Sequence, residues 1–400
     1  MRIGMMTDVY KPHISGVTNY ISLNKRFLEK QGHQVYIFTF SDEDYHDDET
    51  NVIRSPGLPL LDTGYFFNIN YRKEARALLH TMDVAHVHHP FLSGSLALRY
   101  CKPRGIPIIF TNHTRYDLYA KAYLPAVPEV ISETALEAYL PQFCRSCNMV
   151  ISPSPSVKKI LENMGVTVPI EVVPNGVDLE PFEGKIEPVD RSSIGFSDAD
   201  VLIIYTGRLS PEKNLSFLIR CFAGVAKAYK NLGLLLVGDG PERQNLIDLV
   251  DHLKIESQVR FFGSVVYEEI RHYLVIADLY ATASVTEVHP LSVIEAMAVG
   301  LPVLGINSPG VGDIVQDGIN GLLAEEEDLA IFTAKMAKMV TEYDTRQQMG
   351  KAARERAQTF SINKTCQMMI ERYQRVIKES KGKQRNLRIR LQRILDKWQK

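Results

Sequence analysis

The 400-residue chain has little that would staple it covalently or hold it in a bilayer. Its five cysteines are an odd number and only Cys144 and Cys147 stand close together, so neither a disulfide framework nor a four-ligand zinc site is indicated. Packing is the plainer reading of that pair, and a reducing cytosol is the expected compartment. No run approaches the ~20 apolar residues of a membrane-spanning helix. The opening Met1-Arg2-Ile3-Gly4-Met5-Met6-Thr7-Asp8 is too short an apolar stretch for a signal-peptide core. A formal net charge of −1 leaves no overall bias toward nucleic acid. No Asp-x-Asp motif is found where a metal-bound diphosphate would need one, and no internal repeat or low-complexity tract is present.

What is present is the mixture of a folded protein, 45% hydrophobic and 23% charged. Four hundred residues exceed what one core organises, so two domains with a ligand between them are expected. Arg2 to Thr7 reads as a buried strand, followed by a loop with Pro12, Ser15 and Gly16 and a helical pattern from Thr18 to Gln31. Gln34 to Phe40, Val84 to Val87 and Ile106 to Thr111 supply further strands. After Pro174-Asn175-Gly176 the pattern restarts, with strands predicted at Val201 to Thr206, Leu234 to Val237, Val259 to Phe262, Leu279 to Ala283 and Pro302 to Gly305. Helices are predicted at Leu215 to Tyr229, Pro290 to Val299 and Leu329 to Ser361. Alternation of this kind implies two parallel sheets covered by helices, an α/β fold.

Ligands of open parallel sheets bind at the C-terminal strand ends, where loops and helix N-termini present free N–H groups. Gly207-Arg208-Leu209-Ser210-Pro211-Glu212-Lys213 follows a predicted strand and delivers two cations just before a helix. Arg208 offers a planar fork and Lys213 a point charge, which together suit a diphosphate without a metal; a solvated surface loop is the alternative. Thr286-Glu287-Val288-His289-Pro290-Leu291 leads into a helix carrying Glu295. With Pro290 in the first helical turn, Glu295 lies about one and a half turns inside. Two carboxylates so placed can accept the paired hydroxyls of a ribose or hexose, and the amides around Val288 to Leu291 suit phosphate and sugar oxygens. Helix-surface glutamates are the alternative. His86, His88 and His89 share a strand end, but no adjacent carboxylate or cysteine completes a metal site.

Taken in order, the Gly16 loop, His113 after an apolar strand, Val173-Pro174-Asn175-Gly176-Val177-Asp178, Gly207-Arg208 with Glu212-Lys213, Val237-Gly238-Asp239-Gly240-Pro241-Glu242 and Glu287 through Glu295 resemble glycosyltransferase family 4. The resemblance runs through most of the chain and implies a retaining GT-B enzyme. Two Rossmann-like domains would then face each other across a cleft, with a C-terminal helix returning to the N-terminal domain. It implies an acceptor domain over 1–178, a nucleotide-sugar domain over 179–365, a crossing helix over 366–383 and a tail over 384–400. It further implies a metal-independent hexosyltransferase with no cofactor, the nucleotide sugar being a substrate. Arg208 and Lys213 would grip the diphosphate, Glu295 the ribose, and Glu287 with the amides of Val288, His289 and Leu291 the donor sugar. The base would lie near Val265, the backbone at Gly16 and Gly207 would approach the phosphates, and His113 would stand by the donor hexose. A buried, hydrogen-bonded histidine is the other reading of His113. His289-Pro290 departs from the common Phe-Gly of relatives and removes one N–H donor.

The resemblance is strongest to bacterial diacylglycerol glucosyltransferases, which implies UDP-glucose as donor and a membrane lipid as acceptor. A phosphatidylinositol, polysaccharide or soluble acceptor, and a nucleotide-sugar 2-epimerase, remain the rival readings. Leu60-Leu61-Asp62-Thr63-Gly64-Tyr65-Phe66-Phe67 precedes Arg72, Lys73 and Arg76, an apolar-then-cationic order suited to an anionic membrane face; with Tyr10 these residues are the expected acceptor or membrane contacts. In the tail, Leu387, Leu391, Ile394, Leu395 and Trp398 recur at helical spacing among Arg388, Arg390, Arg393 and Lys397, a basic amphipathic helix. It suits the inner face of the cell membrane, and packing on protein is its alternative.

Overall fold

A computed structural model describes residues 1–13, 15–42, 47–59, 66–116, 118, 138–198 and 200–398, with side chains through 382. The expected apolar stretch 60–65 and the side chains of the tail, Trp398 included, lie outside the described residues. The chain divides into two units, Met1–Pro174 with Ile362–Lys400, and Asn175–Ser361.

In the first unit, seven parallel strands run in the order β3-β2-β1-β6-β7-β8-β9. They are β1 (Arg2–Met6), β2 (Gln34–Ser41), β3 (Val52–Pro56), β6 (Val84–Val87), β7 (Ile108–Thr111), β8 (Met149–Ser152) and β9 (Ile170–Val172). The central strands are buried at nearly every position, which is why they read as apolar runs rather than as alternating patterns. A two-stranded ribbon, β4 (Leu58–Pro59) against β5 (Phe66–Phe67), pairs Leu58 with Phe67.

The helix Gly16–Lys30 opens on a capping box in which Ser15 and Thr18 satisfy each other's backbone. It packs Tyr20, Ile21, Phe27 and Leu28 against Ile362, Cys366, Met369, Ile370, Tyr373 and Val376 of the long helix Ile362–Trp398. That helix is thus part of the first unit's core. Its fit is specified by polar contacts as well: Arg375 pairs with Glu171 at 2.8 Å, and the Tyr373 hydroxyl meets Nδ1 of fully buried His86 at 2.7 Å.

The second unit holds six parallel strands in the order β12-β11-β10-β13-β14-β15. These are β10 (Val201–Thr206), β11 (Leu232–Val237), β12 (Val259–Gly263), β13 (Leu279–Ala281), β14 (Val303–Ile306) and β15 (Gly321–Ala324). Counted from β10, the order is 3-2-1-4-5-6, the Rossmann arrangement, and the chain reverses direction of travel across the sheet between β10 and β13. The single helix predicted over Leu329 to Ser361 is in fact two, Leu329–Thr341 and Tyr343–Ala357, followed by a short 3-10 turn. Glu342 leaves helical geometry at ψ 86, and buried Arg346 donates to the freed carbonyls of Met339 and Val340, both at 2.8 Å. No helix among the described residues is long and apolar enough to cross a membrane.

Tyr373→Phe would leave a ring nitrogen of buried His86 unpaired, a cost of ~1–3 kcal/mol. Urea unfolding should register that loss; an unchanged midpoint would show that the bond does not hold the C-terminal helix.

Candidate active site

The ends of β10 and β13 flank the switch point of the second sheet, and the loops that leave them carry the predicted donor residues. β10 ends at Thr206, and Gly207 follows at φ +147 with its N–H on the Val237 carbonyl. The loop after β11 lies directly against it. Leu209 N–H donates to Asp239 O at 2.9 Å and Glu242 N–H to Leu209 O at 3.0 Å. A side chain at Gly238 would place Cβ 1.9 Å from the Gly207 carbonyl oxygen, and one at Gly240 would stand 2.3 Å from that of Leu209. Only glycine allows the two loops to approach this closely.

So braced, the first loop runs through a 3-10 turn, Pro211–Lys213, to Asn214 in the left-handed region, and then into the helix Leu215–Ala226. Arg208 is exposed. Lys213 turns toward the end of β13, where its Nζ donates to Glu287 Oε1 at 2.5 Å. The two side chains keep only 23% and 20% of their exposure. Burial works against the Lys213 ammonium, but the Glu287 carboxylate outweighs it and the lysine pKa rises, so the cation is secure. Hydroxyls of Ser284 and Thr286 donate to the Glu212 carbonyl at 3.1 and 3.3 Å, fastening this loop to the Glu287 loop. Gly310 closes the other side, since a Cβ there would lie 2.7 Å from Glu287 O.

Pro290 precedes the helix rather than occupying its first turn. The helix begins at Leu291, and no side chain caps it. Its first N–H groups therefore have no intrahelical partner and remain available to an acceptor. Val288 is buried, and the His289 ring packs edge-on against Phe360 at 5.0 Å while its carbonyl accepts from Asn175 Nδ2 at 3.0 Å. Burial lowers the His289 pKa to about 3, so the ring is neutral. The histidine of the His289-Pro290 departure is thus a core side chain, and only its main chain faces the loop.

Glu295 stands in the second turn, 3% exposed, with the Tyr267 hydroxyl donating to its Oε1 at 2.9 Å. Burial raises its pKa to about 7, against the lowering effect of the tyrosine bond. Val265, on the same loop as Tyr267, is half-buried against the core. The Tyr267 contact is not legible from residue spacing; its signal in the sequence is only an aromatic residue just past the Gly263 turn.

The first unit holds the remaining predicted residues. His113 Nε2 meets His88 Nδ1 at 2.9 Å and its ring stands edge-on to Tyr20 at 4.7 Å. Burial, with His89 and His86 nearby, holds the His113 pKa well below 6.5, so the ring is neutral at pH 7. His86 spends both ring nitrogens, on Tyr373 and on Thr111 at 2.6 Å, which leaves neither for a metal. Gly16 is the first residue of its helix and a Cβ there would meet nothing within 4 Å. Arg72 and Lys73 are exposed, and Arg76 lies over the Tyr100 ring. Tyr10 is not a surface residue: it is 2% exposed and its hydroxyl donates to Glu49 at 2.8 Å.

Comparison with known proteins identifies the family and the fold. Residues 14–181 match the family described as Glycosyltransferase Family 4, and residues 187–356 match Glycosyl transferases group 1. The alpha-monoglucosyldiacylglycerol synthase of Streptococcus pneumoniae is 32% identical over 82% of this chain and 77% of its own length. The enzyme of the same name from Acholeplasma laidlawii is 29% identical over 82% and 86%. Among solved structures, the Anabaena protein HepE in complex with UDP-glucose superposes with a TM-score of 0.72 at 18% identity, covering 92% of this chain and 98% of that one. The chain belongs to the family 4 glycosyltransferases and has the GT-B fold.

A buried carboxyl whose folded-state pKa lies above that of an unfolded glutamate favours folding while protonated. The Glu295 contribution is complete below about 4.5 and is lost as pH rises through about 7. Glu295→Gln, which cannot ionise, should gain on the native chain by on the order of 3 kcal/mol in urea unfolding as pH is raised from 5 to 8. A gap that stays constant with pH would show that Glu295 does not ionise with burial as its main cost.

Proposed function

We propose that this glycosyltransferase moves glucose from UDP-glucose to diacylglycerol, with retention at the anomeric carbon and without a metal or cofactor. The observation that carries the donor half is the partly buried Lys213–Glu287 pair beside exposed Arg208 at the switch point of the second sheet. Breaking the bond from anomeric carbon to phosphate leaves negative charge on the departing diphosphate, so fixed cations there stabilise the transition state most. Arg208 and Lys213 hold that charge. Glu287 and the amides of Val288, His289 and Leu291 take the sugar hydroxyls, Glu295 takes the ribose, and Val265 borders the base. Gly207 and Gly16 give the phosphates room, and neutral His113 donates or accepts a hydrogen bond at the hexose. In retention, the acceptor hydroxyl attacks the face from which the diphosphate leaves, and its proton passes to that phosphate.

The acceptor half rests on two relatives that are alpha-monoglucosyldiacylglycerol synthases. A peripheral position on the anionic inner face of the cell membrane is favoured by the exposed Leu58, Phe67 and Ile69 beside exposed Arg72 and Lys73. The basic tail, on the helix whose backbone continues to Trp398, is a second segment suited to an anionic face.

The test is transfer from UDP-glucose, UDP-galactose and GDP-mannose, each with and without diacylglycerol in anionic vesicles. An organic-extractable glucoside should form from UDP-glucose alone. Product only on a water-soluble acceptor, or interconversion of the free donor, would refute the reading. Lys213→Ala should lower kcat by ~100-fold or more while the fold persists, by analogy with loss of one oxyanion-hole donor; near-normal turnover would remove Lys213 from the site. Removing residues 384–400 should weaken sedimentation with anionic vesicles and spare UDP binding, and unchanged sedimentation would show that the tail serves another end.

A further inference from the structure

Glu295 is buried, yet its hydrogen-bond donor is not. Tyr267 is 39% exposed, the neighbouring Val266 59%, and from this wet position the tyrosine hydroxyl reaches in to Glu295 Oε1 at 2.9 Å. A carboxylate removed from water cannot be left without a donor, so this bond is the local answer to burial. A ribose diol makes the same offer, two hydroxyls for the two carboxylate oxygens, and one of those oxygens is already engaged. The segment bearing the tyrosine leaves the edge strand β12 as a short loop. It starts at Gly263, whose φ of +93 demands glycine although a Cβ would meet nothing within 4 Å, and it carries Tyr267 at the head of a three-residue 3-10 turn.

We propose that Tyr267 is a latch on the donor site, its hydroxyl holding the Glu295 carboxylate until the ribose diol of a nucleoside diphosphate displaces it. The latch rests on the assignment of Glu295 to the ribose. It is a positioning residue: it keeps Glu295 satisfied and aimed before the donor arrives, and it lowers affinity only for a ligand whose ribose hydroxyls must displace it. Tyr267→Phe keeps the ring and its packing and removes only the competing hydroxyl.

Calorimetric titration with UDP and with 2′,3′-dideoxy-UDP separates the possibilities. Tyr267→Phe should bind UDP about tenfold more tightly than the native chain, the worth of one hydrogen bond to a charged acceptor. The two proteins should bind dideoxy-UDP equally. UDP affinity that is unchanged or weaker in Tyr267→Phe overturns the latch, because the hydroxyl would then be neutral or a contact to the nucleotide. Glu295→Ala distinguishes that failure from failure of the underlying reading: it should bind UDP much more weakly, and normal binding would refute the ribose assignment and the latch together.

Discussion

The candidate site depends on how closely two backbones can pass at the end of a parallel sheet. Adjacent strands β10 and β11 release their chains at the same edge, and both loops must leave through the same space. The contact of Gly238 with Gly207, and of Gly240 with Leu209, makes that possible and fixes the course of the first loop before any ligand chemistry is considered. Arg208 and Lys213 stand where they do because of it. The Glu212 carbonyl, held by Ser284 and Thr286, then carries the same constraint across to the loop of Glu287. Two glycines, Gly238 and Gly240, thus determine where Arg208 and Lys213 fall.

The charges are arranged by degree of burial. Lys213 and Glu287 neutralise each other in a partly buried place, so that neither stands there as an isolated charge. Glu295 lies deeper and meets its cost with a pKa near neutrality and a tyrosine. In the first unit the histidines answer the same problem differently: His86, His88 and His113 are held neutral, and hydrogen bonds take the place of ion pairs.

Much of this was legible in the residues. The strands with continuous apolar runs, the two cycles of strand and helix, and the Gly207 to Lys213 and Glu287 to Glu295 segments all stand close to where spacing puts them. Val52–Pro56, Met149–Ser152, Ile170–Val172 and Gly321–Ala324 were not predicted, because short strands with polar or glycine positions are made strands by their neighbours rather than by their own pattern. The break at Glu342 escaped the periodicity because Arg346 satisfies the exposed carbonyls from the following helix, a remedy visible only in three dimensions. The burial of Tyr10, expected at the acceptor or membrane, is likewise invisible in the sequence, because its hydroxyl partner Glu49 lies thirty-nine positions away. Tyr267 could not be foreseen, since its partner is twenty-eight positions away.

The helix that begins at Ile362 gives the chain an unusual order of completion during synthesis. The second unit is one uninterrupted stretch, Asn175–Ser361, and has all of its residues before that helix is made. The first unit starts earlier yet waits for Cys366, Met369, Tyr373 and Val376 to cover the apolar face of Gly16–Lys30. Until then its sheet has an uncovered side. During synthesis the second unit can therefore complete its core while the first still lacks part of its own, and the last tenth of the sequence decides when the first unit closes.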